Sequence, residues 1–376
     1  MEMEKDTGLK NVPRLAVQIL AYKHPGAEGV EEELDACLRS LEGVDYPKER
    51  WCIIILDNRS PDGSLYEFLE REWLPRSGKT LPALFLQKSE VNTGFAGGHA
   101  KVLEASKKWG ADFVYLLNQD TRVHQAFLRE AILGAQPYPQ AAVIQSYVHL
   151  AEQPELLNAR GNCLHFLGFG YSDGYRQTPE QAAQSTKPHF YASGAGVLVR
   201  VSALERIGGL FDPFYFLYHE DTDLCWRARL AGFEIAFVPA SIIYHRYEFA
   251  RSRSKFYFIE RNRPLLLASN LHLRTLVLLL PALLVVEVGT LILSLRSGWG
   301  REKIRAWKFL LLPSTWKWLR SRRKIIRFIR CVPDREILTS MVGIIDAQEV
   351  NNPFLSKIVN PILNAYFVVL KKVVRW

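Results

Sequence analysis

The first 150 residues alternate between short apolar runs of strand length and apolar residues at helical spacing. The apolar runs occupy residues 15–21, 51–57, 82–87, 112–117 and 141–148. Between the first two runs, Val30, Leu34 and Leu41 recur on one helix face. This alternation predicts an α/β fold in which a mostly parallel sheet carries helices on both faces. Because ligands bind such sheets beyond the carboxyl ends of the strands, functional residues are expected where the runs end.

The pattern weakens after residue 150 and changes character again near residue 271. Residues 155–190 are rich in Gly, Asn, Gln and Pro, and they predict a long loop or a small irregular sheet. A helix is expected to begin near Glu220, and a last strand is expected over 233–238. A chain of 376 residues exceeds one typical domain. We therefore predict a sheet-containing domain over residues 1–265 and a helical region over residues 266–376.

Polar clusters follow the second and the fourth predicted strands. Asp57 and Asn58 open the segment DNRSPDGS, whose composition turn chemistry alone explains as readily as ligand binding does. Asn118, Gln119 and Asp120 follow the fourth strand. A carboxylate just beyond a buried strand is well sited to hold a divalent cation against a diphosphate. The alternative for Asp120 is a capping role at the next helix.

Glycines are concentrated in the segment NTGFAGGH, residues 92–99, at a predicted strand-to-helix junction. Gly94, Gly97 and Gly98 would let backbone N–H groups approach phosphates closely, and the alternative is a flexible turn. The segment does not match GxGxxG, and it follows the third strand instead of the first. A dinucleotide-binding fold is therefore disfavoured.

The densest set of chemically active side chains lies in residues 211–232. Glu220, Asp221 and Asp223 fall in the first turn of a predicted helix, where the helix dipole explains one or two acids. An aromatic run over residues 214–218 leads into them. Aromatic rings beside carboxylates suit a sugar-binding surface with a general base, because a sugar offers both apolar C–H faces and hydroxyls. His245 follows the last predicted strand, although a lone histidine is usually structural.

Taken in order, these segments resemble the family-2 glycosyltransferases, particularly bacterial rhamnosyltransferase-like members. The matching segments, over roughly residues 12–265, are DNRSPDG, NTGFAGGH, LLNQD, SGAGVLVR, FYFLYHEDTDLCWRARLAGF and YHR. The resemblance implies a GT-A fold, an inverting mechanism and Mg²⁺ or Mn²⁺ as cofactor. It also implies a nucleotide-sugar donor, either a dTDP- or a UDP-sugar with rhamnose as one candidate, and a lipid-linked or saccharide acceptor.

The resemblance assigns donor-side and metal-binding roles by position. Asp57 would contact the nucleobase or ribose, with Ala21 and Tyr22 beside it. Asp120 would bind the metal and bridge to the diphosphate, and His245 would join this metal site. The other residues implied for donor binding are Asn58, Gly94, Gly97, Gly98 and Asn118.

The resemblance also assigns the catalytic and acceptor side. Asp221 would be the base that removes the proton from the acceptor hydroxyl, with Glu220 next to it. Tyr218 lies in the aromatic run on the acceptor side. Trp226 and Arg227 would line or support that side.

Two departures from the family pattern matter. The metal motif usually reads DxD, but Asn118 stands in the first position, so metal affinity is lower or Asp120 and His245 carry the binding. The QxxRW motif of processive synthases is absent, so addition of a single sugar is predicted. Asn118 raises the alternative of a non-catalytic, membrane-associated scaffold with a degenerate transferase domain. The intact HEDTD cluster argues against that alternative.

The C-terminal region predicts membrane attachment. Residues 275–295 form an apolar stretch long enough to span a bilayer, and residues 296–330 carry twelve Lys or Arg against one Glu. Interleaved tryptophans suit a lipid headgroup layer better than nucleic acid. Either the stretch spans the membrane, or it is re-entrant or lies along the surface with a kink at Pro281. A third possibility is a buried helical pair with a purely structural role. We favour the second interpretation, because it keeps the basic residues on the cytosolic side.

Five scattered cysteines without a CxxC pair predict reduced thiols. The expected location is therefore the cytoplasmic face of the cell membrane.

Rival functions are disfavoured. A sugar-1-phosphate nucleotidyltransferase needs a Gly-rich, basic loop after the first strand, and AYKHPGAEG matches it poorly.

Overall fold

The computed structural model describes residues 12–61, 63–247, 254–346 and 353–376. Its strands are β1 (Leu15–Ala21), β2 (Trp51–Asp57), β3 (Ala83–Lys88), β4 (Phe113–Asn118), β5 (Thr121–Val123), β6 (Ala141–Leu150), β7 (Leu157–Ala159), β8 (Gly161–Leu164), β9 (Gly170–Asp173), β10 (Gly196–Arg200) and β11 (Glu234–His245). Its α-helices up to the acidic segment are α1 (Val30–Glu42), α2 (Ser64–Phe68), α3 (Gly94–Trp109), α4 (Phe127–Ala135), α5 (Pro179–Ala183), α6 (Val201–Leu204) and α7 (Glu220–Leu230). The helices that follow are α8 (Lys255–Asn270), α9 (Leu273–Arg296), α10 (Gly300–Leu310), α11 (Pro313–Ile329), α12 (Asp334–Thr339) and α13 (Asn360–Val373).

The central sheet has the strand order β3-β2-β1-β4-β10-β6-β11-β5, with β7 paired to β6. The pairs β1–β2, β2–β3, β1–β4 and β6–β11 are parallel. This confirms the predicted α/β class and the mostly parallel sheet. The prediction succeeds because each apolar run is followed by helical spacing, and a parallel pair needs such a crossover.

Both faces of the sheet are covered, as the continuous apolar runs predicted. Along β1, Leu15, Val17 and Ile19 face a cluster that contains residues of α1 and α4. Ala16 faces the opposite cluster, which contains residues of α3 and α7. Successive side chains of a strand point to opposite faces, so a run with no polar alternation requires two covered faces.

Strand β10 departs from the simple parallel pattern. It is inserted between β4 and β6 and runs antiparallel to both. Its first residue, Gly196, therefore pairs with Leu117 near the carboxyl end of β4. The loop that precedes β10 thus lies at the same edge of the sheet as the ends of the parallel strands.

Two local details differ from the sequence prediction, and a third agrees with it. Helix α3 begins at Gly94, so the glycines of residues 92–99 lie in its first turns and not in a loop. Strand β11 extends to His245, with an irregular register between Val238 and Ile242, and is longer than expected. Residues 155–190 contain the β8–β9 hairpin and the short helix α5, which agrees with a small irregular sheet.

The C-terminal helices share a core with the sheet domain. One apolar cluster contains Ala16 of β1, Leu266 of α8, Leu279 of α9 and Phe367 of α13. The predicted boundary at residue 265 falls inside α8. Among the described residues, α9 alone is long and apolar enough to cross a membrane, and 17% of its apolar window is buried. It continues through Pro281 as one helix.

Candidate active site

The sheet register brings the predicted donor residues to one edge. Ala21 at the end of β1 pairs with Asp57 at the end of β2, and Leu20 pairs with Asn118 at the end of β4. The Asn118 N–H donates to the carbonyl of Ala195 in the loop before β10. The carboxyl ends of β1, β2 and β4 and the loop before β10 therefore lie side by side at one edge of the sheet, from Asp57 to Ala195.

Asp57 is fully buried at this edge. Its Oδ1 accepts hydrogen bonds from the N–H of Ser60 (3.0 Å) and from the Ser60 hydroxyl (2.6 Å). Its Oδ2 has no hydrogen-bond partner among the described residues. A buried carboxylate oxygen left without a donor is costly, so the environment favours a ligand that supplies an N–H or O–H group.

Asn58 supports the neighbouring glycine-rich turn. Its Nδ2 donates to Asn92 Oδ1 and to the carbonyl of Gly94, both at 3.1 Å. Its Oδ1 accepts from the N–H and the hydroxyl of Thr93, both at 3.0 Å. These four hydrogen bonds use the full capacity of the Asn58 side chain and leave none for a bound nucleotide sugar. Its role in the structure is therefore to position the start of α3.

The glycines of α3 permit close packing. Gly94 has φ +68°, and a Cβ there would overlap the carbonyl of Phe216 in the loop before α7. A Cβ at Gly98 would overlap the side chain of Leu20 on β1, and one at Gly97 would meet Thr93 at 2.8 Å. Packing therefore accounts for all three glycines, and their predicted contact with phosphates stays a prediction.

Gln119 is a site residue that the sequence prediction omitted. Its Oε1 accepts from the N–H of Tyr22 at 2.8 Å, and its Nε2 donates to the Tyr22 carbonyl at 3.0 Å. This two-bond pairing fixes the end of β1 against the turn after β4. Its place between Asn118 and Asp120 is a signal by which it could have been found.

The structure brings Asp120 and His245 together. His245 pairs with Thr121 across β11 and β5, which places its Nε2 3.3 Å from Asp120 Oδ1. His245 Nδ1 lies 3.2 Å from Asn158 Oδ1, and a proton on Nδ1 would leave the Nε2 lone pair facing the carboxylate. The described residues contain no group of three or more His, Cys, Asp or Glu able to hold a metal. These two side chains would supply one oxygen and one nitrogen ligand to a divalent cation, whose other ligands would have to come from a bound diphosphate.

Asp221 is the partly exposed member of the acidic cluster. Its Oδ2 accepts from the N–H of Gly194 at 3.3 Å, and its Oδ1 accepts from the N–H and the hydroxyl of Thr222 at 2.6 and 3.2 Å. Burial raises the pKa of Asp221, and these hydrogen bonds oppose that shift. A partly exposed carboxylate with a raised pKa suits a general base.

Glu220 lies deeper than Asp221. It is 5% exposed, and its Oε2 has no hydrogen-bond partner among the described residues. Burial raises the pKa of Glu220 well above its usual value, and the neighbouring charge of Asp221 raises it further. Both effects favour the protonated form of Glu220 over its carboxylate, next to the more accessible Asp221.

Asp223, Trp226 and Arg227 lie on the buried side of α7. Arg227 Nε donates to Asp223 Oδ2 at 2.8 Å, and its other nitrogens donate to the carbonyls of residues 207, 209 and 210. Trp226 packs edge-on against Phe190. Both Trp226 and Arg227 are 0% exposed, so neither lines a cleft for an acceptor. Of the two predicted possibilities, lining or supporting the acceptor side, the structure leaves only support.

The loop before α7 is strained. Phe216, Tyr218 and His219 have φ values of +61°, +66° and +70°, a region that side chains larger than glycine rarely occupy. Asn262 of α8 donates to the carbonyls of Tyr215, Leu217 and Tyr218 at 2.8–2.9 Å. Tyr218 is 37% exposed, and its predicted place on the acceptor side stays a prediction.

The helix that fixes this loop contains two residues that sequence reasoning missed. Arg261 donates to the carbonyls of Phe214 and Tyr215, next to the bonds made by Asn262. Neither residue belongs to a segment that resembles a known motif. The signal that could have singled them out is the run of four polar residues ERNR, 260–263, between the apolar segments FYFI and PLLLA of α8.

These features define the class of GT-A glycosyltransferases, which are enzymes that transfer sugars. The features are the mostly parallel sheet with its crossover helices, the inserted antiparallel strand β10 and the acidic helix α7 at the carboxyl edge. A family model described as "Glycosyltransferase like family 2" matches residues 13–265, and the chain belongs to this family. This confirms the resemblance carried by the ordered motifs, and it favours an enzyme over a non-catalytic scaffold.

Curated relatives agree with this class. The chain is 27% identical over 226 residues to an N-acetylglucosaminyl-diphospho-decaprenol L-rhamnosyltransferase of Mycobacterium tuberculosis, covering 55% of this chain and 70% of that protein. It is 36% identical over 80 residues to the rhamnosyltransferase WbbL of Escherichia coli, covering 21% of this chain and 29% of that protein.

A solved structure agrees with the fold. The crystal structure of GalNAc-T7 with UDP, GalNAc and Mn²⁺ aligns with a TM-score of 0.52 at 13% identity. The alignment covers 69% of this chain and 48% of that one, so this chain spans about half the length of that structure. At this identity the likeness shows the fold alone.

Proposed function

We propose that the protein transfers one sugar from a nucleoside-diphosphate donor to the hydroxyl of a lipid-linked or saccharide acceptor, with inversion at the anomeric carbon. The observation that carries the proposal is the placement of a partly exposed carboxylate, Asp221, on the same sheet edge as the Asp120–His245 pair. The rhamnosyltransferase relatives support rhamnose as the sugar and cell-envelope polysaccharide as the product class. We favour a dTDP-sugar over a UDP-sugar on this ground.

Donor binding rests on the edge formed by β1, β2 and β4. The free Oδ2 of Asp57 would accept a hydrogen bond from the nucleobase or ribose, beside Ala21 and Tyr22. Asn58 and Gln119 keep the surrounding turns in place. Gly94, Gly97 and Gly98 bring the start of α3 close to β1, and Asn118 lies between Leu20 and Ala195.

Asp120 and His245 would hold a divalent cation, whose charge offsets the negative charge that develops on the departing diphosphate. The mixed oxygen and nitrogen donor set favours Mn²⁺ over Mg²⁺, because Mg²⁺ prefers oxygen ligands and water. Because Asn118 is neutral, Asp120 contributes the single carboxylate of the NQD segment.

Asp221 accepts the proton of the acceptor hydroxyl as that oxygen attacks the anomeric carbon. The new carbon–oxygen bond forms on the face opposite the diphosphate, the bond to the diphosphate oxygen breaks, and the nucleoside diphosphate leaves. The Gly194 N–H and Thr222 keep the carboxylate of Asp221 oriented. Tyr218 offers an exposed ring on the acceptor side.

A membrane-bound acceptor suits the C-terminal region. Glu287, in the middle of the apolar helix α9, forms ion pairs with Arg263 of α8 and Lys303 of α10. These contacts support the interpretation in which α9 lies along a cytoplasmic membrane surface next to the sheet domain. A lone charged residue at the centre of a bilayer span would lack such partners.

The test combines donor, acceptor and metal. Purified protein is incubated with dTDP-rhamnose, UDP-N-acetylglucosamine or GDP-mannose, with Mn²⁺, Mg²⁺ or EDTA, and with polyprenyl-diphosphate-linked N-acetylglucosamine as acceptor. Mass spectrometry detects the product. We expect transfer from dTDP-rhamnose in Mn²⁺, weaker transfer in Mg²⁺, and none in EDTA.

The matched control is Asp221→Asn, which keeps the size of the side chain but cannot act as a base. It should bind the donor with unchanged affinity in calorimetry and form product about 10²–10⁴-fold more slowly than the wild type. If the wild-type protein bound none of these donors under any metal condition, the proposed function would be wrong.

A further inference from the structure

Helix α11, in the basic C-terminal region, reaches the acidic motif of α7. Arg322 of α11 is 3% exposed in its side chain, and its Nη2 forms an ion pair with the carboxylate of Asp223. Its Nη1 lies 3.5 Å from Asp212 Oδ2, at the start of the loop before α7. One arginine of the C-terminal region therefore contacts both ends of the segment that contains the proposed catalytic base.

Trp318 makes a second contact one turn earlier on α11. Its Nε1–H donates to Asp212 Oδ2 at 3.0 Å. Its ring stacks on Phe214 with centroids 4.3 Å apart and planes 7° apart, and meets Tyr215 edge-on at 5.8 Å. The side chain thus fixes the beginning of the strained loop, where Asp212 Oδ1 also accepts from the Phe214 N–H at 3.0 Å.

The charges of this cluster balance only when Arg322 is present. Asp212 and Asp223 carry two negative charges, and Arg227 supplies one positive charge. Asp223 is 0% exposed and also accepts from the Tyr215 hydroxyl at 3.2 Å. Burial alone would raise the pKa of Asp223, but the ion pairs with Arg322 and Arg227 outweigh it and lower the pKa to about 2. A buried carboxylate that loses a partner destabilises its surroundings strongly.

We propose that Arg322 and Trp318 are positioning residues for the transferase site, so that the C-terminal region completes the active site. The segment between their contacts contains Phe216, Tyr218 and His219, whose strained backbone persists only where neighbours hold it. It also contains Asp221, whose carboxylate must meet the acceptor hydroxyl. The inference rests on the proposed role of Asp221 as base.

The experiment uses the full-length protein with Arg322→Met, Arg322→Lys and Trp318→Phe. The matched control is Arg330→Met, because Arg330 lies at the end of the same helix and its partners all lie outside residues 212–223. These partners are the carboxylate of Asp334 and the carbonyls of Asn270 and Val332. For each variant we measure Tm, kcat, KM for the donor, and amide hydrogen exchange of peptides from residues 212–223.

Arg322→Met should lower kcat on the order of 100-fold and leave KM for the donor within about 3-fold, because a misplaced base slows transfer without weakening donor binding. Exchange over residues 212–223 should increase. Arg322→Lys should recover part of the kcat, and Trp318→Phe, which keeps the stacking, should lower it several-fold. Arg330→Met should lower Tm but leave kcat within about 3-fold.

The inference is overturned if folded Arg322→Met retains the wild-type kcat and exchange pattern, or if Arg330→Met lowers kcat equally. If Arg322→Met does not fold, Arg322→Lys and Trp318→Phe decide by the same readouts. A wild-type protein without transferase activity would contradict the proposed function, whereas the hydrogen exchange of residues 212–223 would still test the contact.

Discussion

At the scale of single residues, two neighbouring carboxylates have different environments. Glu220 is 5% exposed with an unbonded buried oxygen, whereas Asp221 is partly exposed and accepts three hydrogen bonds. Environments of this kind separate the roles of two acids in one site. The sequence predicts a catalytic role for both, and we propose Asp221 as the base, with Glu220 as a buried neighbour whose raised pKa favours its protonated form.

The first prediction compares Asp221→Asn with Glu220→Gln. Asparagine removes the base, so kcat should fall about 10²–10⁴-fold. Glutamine resembles a neutral glutamic acid in size and hydrogen bonding, so Glu220→Gln should keep kcat within about 10-fold of wild type. Steady-state kinetics with the preferred donor measures both. Equal losses in the two variants would contradict the assignment of separate roles.

The second prediction concerns the pH dependence of kcat. Burial raises the pKa of Asp221, and the base must be deprotonated to accept the acceptor proton. The rate should therefore be full above this raised pKa and fall as pH decreases through it, at a pH above the usual range of an aspartate. A pH–rate profile measures the acidic limb. An acidic limb at or below the usual aspartate range, with stability unchanged, would count against Asp221 as base.

The third prediction tests the Asp120–His245 pair. His245→Ala removes one proposed metal ligand, and Asn158→Ala removes the group that orients the imidazole. Both should raise the Mn²⁺ concentration needed for half-maximal activity, by about 10–100-fold for the orienting residue. A Mn²⁺ titration of activity, with direct metal binding by calorimetry, gives the values. Unchanged Mn²⁺ dependence in His245→Ala would remove His245 from the site.

At the scale of elements, the strands and their order along the chain follow from the sequence, but the contacts between distant elements do not. The apolar runs predicted β1 (Leu15–Ala21) and β2 (Trp51–Asp57) to the residue. The antiparallel direction of β10 was not predicted, because an apolar run does not encode its direction in a sheet. The contact between Arg322 and Asp223 joins residues 99 positions apart, and only tertiary packing reveals it.

The glycines of α3 show why glycine density in a sequence leaves their role open. The segment was predicted as a phosphate-binding or flexible turn, since glycine density alone does not distinguish a loop from a tightly packed helix start. In the structure, Gly98 faces Leu20 of β1 inside α3. Glycine here allows α3 to pack closely against the end of β1, which is also where the nucleotide-sugar donor is proposed to bind.

The fourth prediction tests this packing with a matched pair of substitutions. Gly98→Ala adds a methyl group that overlaps Leu20, so it should destabilise the protein by about 1–3 kcal/mol. Gly289→Ala, in α9, adds a methyl group with no atom within 4 Å and should be neutral or stabilise by up to about 1 kcal/mol. Denaturant unfolding measures both. Equal stability of the two variants would indicate that the Gly98 region is a loose turn.

At the scale of the whole molecule, the charge and the exposed apolar surface lie in the same region. The net charge is +9, and residues 296–330 alone contribute twelve Lys or Arg against one Glu. Exposed cations of α10 and α11 that form no ion pair among the described residues are Arg301, Arg305, Lys308, Lys317, Arg320, Lys324 and Arg327. One face of α9 exposes Leu273, Val277, Leu280, Leu284, Val288 and Leu295, each by half or more. This combination suits the surface of an anionic bilayer.

The fifth prediction is that the basic residues of α11 bind anionic lipid. In co-sedimentation, the protein should bind phosphatidylcholine vesicles that contain phosphatidylglycerol more tightly than vesicles of phosphatidylcholine alone, and added salt should weaken the difference. Arg320→Glu/Lys324→Glu should reduce binding to the anionic vesicles by about 30-fold or more, since each basic residue near the surface contributes about 1 kcal/mol. Lys107→Glu/Lys108→Glu, which reverses two exposed charges in the last turn of α3, is the control and should change binding by less than about 3-fold. If both pairs of substitutions reduced binding equally, net charge alone would explain the attraction. If neither did, the exposed apolar face of α9 would be left as the contact with the bilayer.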